Sequence, residues 1–185
     1  LLEKIIEIDK TLFFWLNKHH NWFFDELMSW VSFPKTWIPF YLILLFLIFK
    51  NFQFKNSLFI IITLVVSVGL SDFIASGILK PFFERLRPCH DPFFSGKINN
   101  IVGCGGKFGF VSSHASTSFA LAVGLTRIYS NKIYFKYILF FWAFIVAYSR
   151  VYLGVHYPLD IFFGALLGGL ISTLMFYGYC KITRN

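Results

Sequence analysis

Residues 1–20 carry apolar side chains at helical spacing, with Leu2, Ile5, Ile6, Leu12, Phe13 and Leu16 on one stripe and Glu3, Lys4, Glu7 and Lys10 off it. That pattern predicts an amphipathic helix lying in a membrane interface. Residues 21–33 repeat it, with Trp22, Phe23, Phe24, Leu27, Trp30 and Val31 set against Asp25 and Glu26. Lys18, His19 and His20 stand between the two halves, read as headgroup-level residues, and speak against one continuous span. Beyond them the polar positions thin out. Apolar runs over 36–49, 57–79, 114–130, 134–152 and 158–180 predict five membrane-spanning helices. A sixth span inside residues 1–33 is the alternative. Asp72 lies far from either end of the second run, where a carboxylate is expected to face the bundle interior; the pattern makes it packing glue with Ser67, Ser71 and Ser76.

The fold expected is therefore an all-α integral membrane bundle, a single domain over residues 1–185, with residues 1–33 as an interfacial segment. Composition agrees: 57% of residues are hydrophobic, 22% are aromatic and only 14% are charged, too little polar surface to cover a globule in water. The net charge of +8 could suggest nucleic acid. The charges are instead scattered over short connections and one loop, which suits phospholipid headgroups or a phosphate substrate and not nucleic acid. The connections 50–56, 127–136 and 181–185 hold Lys50, Lys55, Arg127, Lys132, Lys136, Lys181 and Arg184 with no acidic residue, the mark of a cytoplasmic face. The opposite face, including the long polar loop 80–112, then looks outward. The first residues, with Glu3, Glu7 and Asp9, do not read as a cleavable signal segment. Cys89 and Cys104 are the only thiols of the loop and are expected to pair in an oxidising compartment, leaving Cys180 free.

Three windows of chemistry fall at that outer face. The first runs from Lys80 to Pro88 and contains Arg85 and Arg87; the second is Val111-Ser112-Ser113-His114; the third runs from Ser149-Arg150 through His156 to Asp160. Pro158 is placed to open a helix, so His156 and Asp160, four apart, would share one face at its start. A carboxylate beside an imidazole fixes its tautomer and raises its basicity. Each window also has a plainer reading. Basic residues at span ends snorkel, Ser112-Ser113 caps a helix, Asp160 caps another, and Arg150 anchors an interface. Taken together they describe a phosphoryl-transfer site. Lys80, Arg87 and Arg150 match the charge of a phosphoryl group, and Ser112, Ser113 and the helix start add donors for its oxygens. One histidine can attack phosphorus while the other protonates the departing oxygen. The windows hold neither a carboxylate cluster for magnesium or calcium nor a three-ligand zinc set, so a reaction without metal or cofactor is expected.

In this order the windows resemble the three signatures of the type 2 phosphatidic acid phosphatase (PAP2) family: Lys-six residues-Arg-Pro, Pro-Ser-Gly-His, and Ser-Arg-five residues-His-three residues-Asp. The first and third match throughout; in the second, Val111 replaces proline and Ser113 replaces glycine, while Ser112 and His114 are kept. The resemblance implies His156 as nucleophile, Asp160 as its orienter, His114 as leaving-group acid, and Lys80, Arg87, Arg150 and Ser112 as phosphate ligands. Arg85 matches no motif position and is read as interfacial. Soluble vanadium haloperoxidases share this pocket, but the spans argue against that branch. The implied substrates are lipid phosphates. A small member with an outward site suggests undecaprenyl diphosphate first and lipid A close behind, with phosphatidylglycerol phosphate and phosphatidic acid as further alternatives. A bacterial inner membrane, with the site facing the periplasm or cell exterior, is the expected location. A non-enzymatic anion channel is the rival from another class; it would need polar residues through the depth of the bilayer, where the runs offer only Asp72.

Overall fold

The computed structural model describes residues 1–183, which are helical apart from loops and one isolated bridge between Leu86 and Phe108. Arg184, counted above with the basic connections, lies outside the described residues. Helix α1 runs Leu2–Asn17, α2 Trp22–Ser32, α3 Ile38–Asn51, α4 Phe54–Phe83, α5 Ser113–Ile128, α6 Ile133–Tyr152 and α7 Pro158–Thr183. The apolar runs therefore mark helices correctly, though only some of these helices are long and apolar enough to cross a membrane by themselves. Helices α4, α6 and α7 are each long and apolar enough to cross a membrane, while α2 and α3 qualify only as a pair bent by 72°. At 14 and 16 residues, α3 and α5 alone would reach roughly 20–25 Å at 1.5 Å per residue, short of the ~30 Å hydrocarbon core. Helix α4 passes through a π-helical stretch at Ile74–Leu79 before resuming ordinary geometry over Lys80–Phe83, so Lys80 stands on the helix and not in the loop.

Helix α5 is the axis of the bundle, with α4, α6 and α7 around it. Its sequence explains why. Ala115, Ser116, Ser118, Ala120, Ala122 and Gly124 are buried, and side chains this small let neighbouring backbones come close. Helix α7 answers with Gly164, Gly168 and Ser172 at four-residue spacing. A Cβ on Gly164 would sit 2.5 Å from the Ser112 carbonyl oxygen, and one on Gly168 would collide with that of Ser116. Away from the loop the space is filled by a cluster including Leu44, Ile48, Leu64, Leu125, Trp142 and Phe176. Phe46, Val65, Phe141 and Leu170 point outward, as expected where lipid is the solvent.

The N-terminal segment departs from the purely interfacial expectation. On α1 the buried residues are Asp9, Phe13 and Asn17, while Leu2, Ile5 and Leu12 of the apolar stripe are exposed. The helix turns its polar groups inward because they have partners there and lipid offers none. Phe13 packs edge-on against Phe94 of the loop and Tyr157, with ring centroids 5.2 and 5.3 Å away. Asn17 donates to the carbonyls of Asn99 (3.0 Å) and Tyr152 (2.7 Å) and accepts from the Asn99 N–H (2.8 Å). Asp25 on α2 accepts from the Asn99 amide (3.0 Å) and the Tyr152 hydroxyl (2.8 Å). These bonds tie both N-terminal helices to the loop and to the end of α6. Asp72 also departs from its expectation: it is exposed, 3.4 Å from Ser76, while Ser67 and Ser71 donate within their own helix.

The close approach of α5 and α7 yields a stability prediction. Gly168→Ala forces a methyl onto backbone and should cost more than the ~1–3 kcal/mol of ordinary overpacking. Gly178→Ala on the same helix meets nothing within 4 Å and should be neutral or slightly stabilising. Thermal unfolding of the two variants in detergent compares them directly.

Candidate active site

The third window is built around the start of α7. Pro158 opens the helix as its ring geometry favours, and Asp160 reaches back so that its Oδ2 accepts from the Tyr157 N–H at 2.9 Å, satisfying a donor the helix leaves free. The plain reading of Asp160 as a cap is therefore correct as far as it goes. The same oxygen lies 3.4 Å from Nδ1 of His156, longer than an ordinary charge-assisted hydrogen bond. Both side chains are almost wholly buried, at 0% and 1% exposure. Gly109 passes directly over the pair: a Cβ there would lie 3.0 Å from Asp160 Oδ2 and 3.5 Å from His156 Nδ1.

The other windows come to the same place. Ser112 caps α5, its hydroxyl accepting from the Ala115 N–H at 3.5 Å, and its own N–H donates to the Asp160 carbonyl at 2.9 Å. The second window is thus docked on the third through backbone, despite Val111 and Ser113 in place of the family's proline and glycine. Lys80 Nζ donates to the Ser113 hydroxyl at 2.9 Å, joining α4 to α5. Arg87 is held by the loop, its Nε donating to the Phe108 carbonyl (3.1 Å) and its Nη1 to that of Cys104 (2.7 Å). Arg150 donates through Nη1 to the Ser32 hydroxyl on α2, while its buried Nε has no acceptor among the described residues. His114 lies within electrostatic reach of Arg150, His156 and Lys80. It also borders a cavity of about 380 Å³ whose walls include Pro34, Trp37, Tyr41 and Asp72. Burial, and then the charges of Arg150, Arg87 and Lys80, hold the His156 imidazole well below its usual proton affinity. At neutral pH it is an uncharged base surrounded by cations.

Two residues here were not legible in sequence. Arg85, read as interfacial, donates from Nη1 to Asp160 Oδ1 at 2.7 Å and from Nη2 to Asp9 Oδ2 at 2.5 Å. Its guanidinium stacks over Tyr157 at 4.3 Å. Asp9, on α1, is 3% exposed and also accepts from the Leu159 N–H of α7 at 2.9 Å. Two neighbouring contacts extend the set: the Tyr157 hydroxyl donates to Asp91 (2.8 Å), which Lys10 of α1 pairs at 2.6 Å. Basic spacing within the first window is the one signal that could have raised Arg85. Asp9 needs the tertiary structure.

Comparison with known proteins places this arrangement. The model of the PAP2 superfamily matches residues 60–184, which include all three windows. The chain belongs to the PAP2 superfamily. It is 33% identical over 187 residues to a lipid A 4′-phosphatase of Bacteroides thetaiotaomicron, covering 100% of this chain and 83% of the relative. A lipid A 4′-phosphatase of Porphyromonas gingivalis is 34% identical over 96% of this chain and 75% of its own length. The crystal structure of LpxE from Aquifex aeolicus superposes with a TM-score of 0.67 at 26% identity, over 90% of this chain and 93% of that one. The expectation of a helical, membrane-embedded hydrolase of the PAP2 type is met.

The PAP2 site rests on a loop closed by a disulfide. Cys89 and Cys104 are bridged across 15 positions, with Cα atoms 5.8 Å apart, and the Cys104 carbonyl is one of the two that hold Arg87. Closing a loop of that length stabilises by about 3 kcal/mol on the chain-entropy estimate. A maleimide applied without reductant should modify Cys180 alone, and reductant should lower the unfolding midpoint. Equal labelling of all three cysteines before reduction would show the loop to be open.

Proposed function

We propose that this PAP2 protein removes a phosphate monoester from a lipid, the 4′-phosphate of lipid A, through a phosphohistidine on His156. The observation that carries the chemistry is His156 itself: a buried, uncharged imidazole faced by Lys80, Arg87 and Arg150, with the Arg150 Nε donor free for an anionic oxygen. Stabilisation of a transferring phosphoryl group is almost wholly electrostatic, so three cations around one nucleophile supply what the reaction needs. Ser112 and Ser113 stand at the start of α5, whose free N–H groups and positive end favour phosphate oxygens. Asp160 orients His156, and His114 protonates the leaving oxygen and later activates water. The chemistry uses side chains alone, without metal. What favours lipid A over undecaprenyl diphosphate, the substrate placed first from sequence, is the likeness to two lipid A 4′-phosphatases along nearly the whole chain. The active-site stretch 80–112, whose first residues Lys80–Phe83 close α4, belongs to a single 1–185 domain and faces the periplasm or cell exterior from the inner membrane, the orientation that the acid-free basic connections at the other end favour.

Phosphate release from purified protein, across lipid A, undecaprenyl diphosphate, phosphatidylglycerol phosphate and phosphatidic acid, tests the substrate. Lipid A should lead in kcat/KM; a lead for undecaprenyl diphosphate would overturn the assignment. Activity should survive EDTA and fall with vanadate. The roles of the histidines separate by leaving group in single-turnover phosphoenzyme formation. His156→Ala should abolish attack on every substrate. His114→Ala should slow a lipid phosphate by roughly 10²–10⁴-fold and p-nitrophenyl phosphate far less, because that oxygen departs without a proton. The reverse pattern would exchange the two roles.

A further inference from the structure

Arg85 and Asp9 stand behind the site and not in it. Arg85 presents one nitrogen to Asp160 and the other to Asp9, with its plane against Tyr157. Both terminal nitrogens are thus taken by carboxylates and one face by an aromatic ring. Asp9 in turn makes two bonds, to Arg85 and to the Leu159 N–H at the start of α7. We infer that Asp9 is a positioning residue for the reaction: through Arg85 it fixes where Asp160 sits and how much negative charge Asp160 presents to His156. The inference rests on the reading of His156 as nucleophile with Asp160 as its orienter. Asp9 lies on α1, outside residues 60–184 that the superfamily model covers, yet within the stretch shared with the lipid A 4′-phosphatases. A helix that reads as a membrane-surface appendage thereby becomes part of the active site's construction.

The charges that face His156 come from every element around it: Lys80 from α4, Arg87 from the loop, Arg150 from α6, His114 from α5 and Asp160 from α7. Behind Asp160, Arg85 and Asp9 add one positive and one negative charge. Asp9→Asn separates the two functions of Asp9, because an asparagine carbonyl still accepts from the Leu159 N–H but brings no charge to Arg85. Arg85 then draws more on Asp160, and His156 loses basicity. Phosphoenzyme formation by Asp9→Asn should be about ten- to a hundredfold slower, with KM within about twofold, and its acid limb should move to lower pH. Asp9→Glu should recover most of the rate. His156→Ala, run alongside, tells the two readings apart. If it still forms phosphoenzyme, the underlying mechanism is wrong. If it is dead while Asp9→Asn keeps the wild-type rate and pH profile, the inference about Asp9 alone fails, and a lowered unfolding midpoint in that case would make Asp9 merely structural.

A second observation lies at the opposite end of the bundle. A groove of about 950 Å³ opens between α5, α6 and α7, with Arg127, Lys136 and Lys181 on its rim and Phe140, Leu174 and Tyr177 on its wall. Among the described residues none of these cations has an acidic partner, and the acidic residue nearest in sequence on any of the three helices is Asp160, at the far end of α7. Arg127 leans on the Thr173 hydroxyl at 3.4 Å and Lys181 on the Tyr177 ring at 5.0 Å. The geometry points to a seat for one anionic phospholipid, its headgroup among the three cations and its chains along the aromatic wall. Cys180, exposed in the same groove, provides the probe. A bimane on Cys180, with the protein in phosphatidylcholine vesicles, should be quenched more by brominated phosphatidylglycerol than by brominated phosphatidylcholine of the same chains. The preference should fall by about fivefold for each cation changed to Gln, at roughly one favourable contact per basic residue. Equal quenching by the two lipids would overturn the proposal. So would relief of the quenching by millimolar inorganic phosphate, which would mark a free-anion site; single Gln variants serve if the triple one does not fold.

Discussion

The constraint on which this site depends is the burial of the Asp160 carboxylate. An ionised carboxylate away from water is costly unless its oxygens are taken up. Here Oδ1 receives Arg85 and Oδ2 receives the Tyr157 N–H, both at ordinary hydrogen-bond length. Only after those two demands are met does the 3.4 Å approach to His156 remain. The carboxylate is therefore anchored by the helix start and by Arg85 and is offered to the imidazole from a fixed place. That order matters for the proposed mechanism, since an orienting group must be held by something other than the group it orients.

A second constraint sets the distance between windows. The α5–α7 contact brings backbone to backbone at Gly164 and Gly168, and Ser112, the cap of α5, donates to the Asp160 carbonyl at the same level. Small residues along this seam are what allow a hydroxyl-rich helix start and a carboxylate-bearing helix start to meet side by side. The apolar runs of α4 and α6 then deliver Lys80 and Arg150 to that level. Their ends are polar because they end at the site.

How much of this could be read from sequence follows from the range of each interaction. His156 with Asp160 is a local pair, four residues apart and next to Pro158, so spacing alone exposes it. The three windows are each contiguous and could be recognised one by one. The helices over the apolar runs were equally legible, but hydropathy does not fix a helix's length, and α5, at 16 residues, is shorter than the run suggested a span to be. The N-terminal stripe was legible as a pattern, but not the packing of the helix's other face against the bundle. Most of the apolar stripe is exposed, while its member Phe13 joins Asp9 and Asn17 on the packed face. Asp72 shows the converse, a carboxylate whose depth in the run suggested a buried role and whose side chain is exposed. The Arg85–Asp9 pair joins residues 76 positions apart and has no local signature at all.

Arg85 also shows why counting cations near a phosphate site can mislead. The loop between α4 and α5 brings Arg85 and Arg87 to the same place two residues apart, and by composition they are equivalent. Their surroundings are not. Arg87 is held by two carbonyl groups, neutral partners that fix its position and leave its charge unmatched. Arg85 is held by two carboxylates that more than cancel its charge. A phosphate gains from the first and would have to compete with two buried anions for the second. On the proposed function, the same pocket divides its basic residues into those left to face a phosphate and one that stabilises the scaffold. The division is made by what each guanidinium already touches.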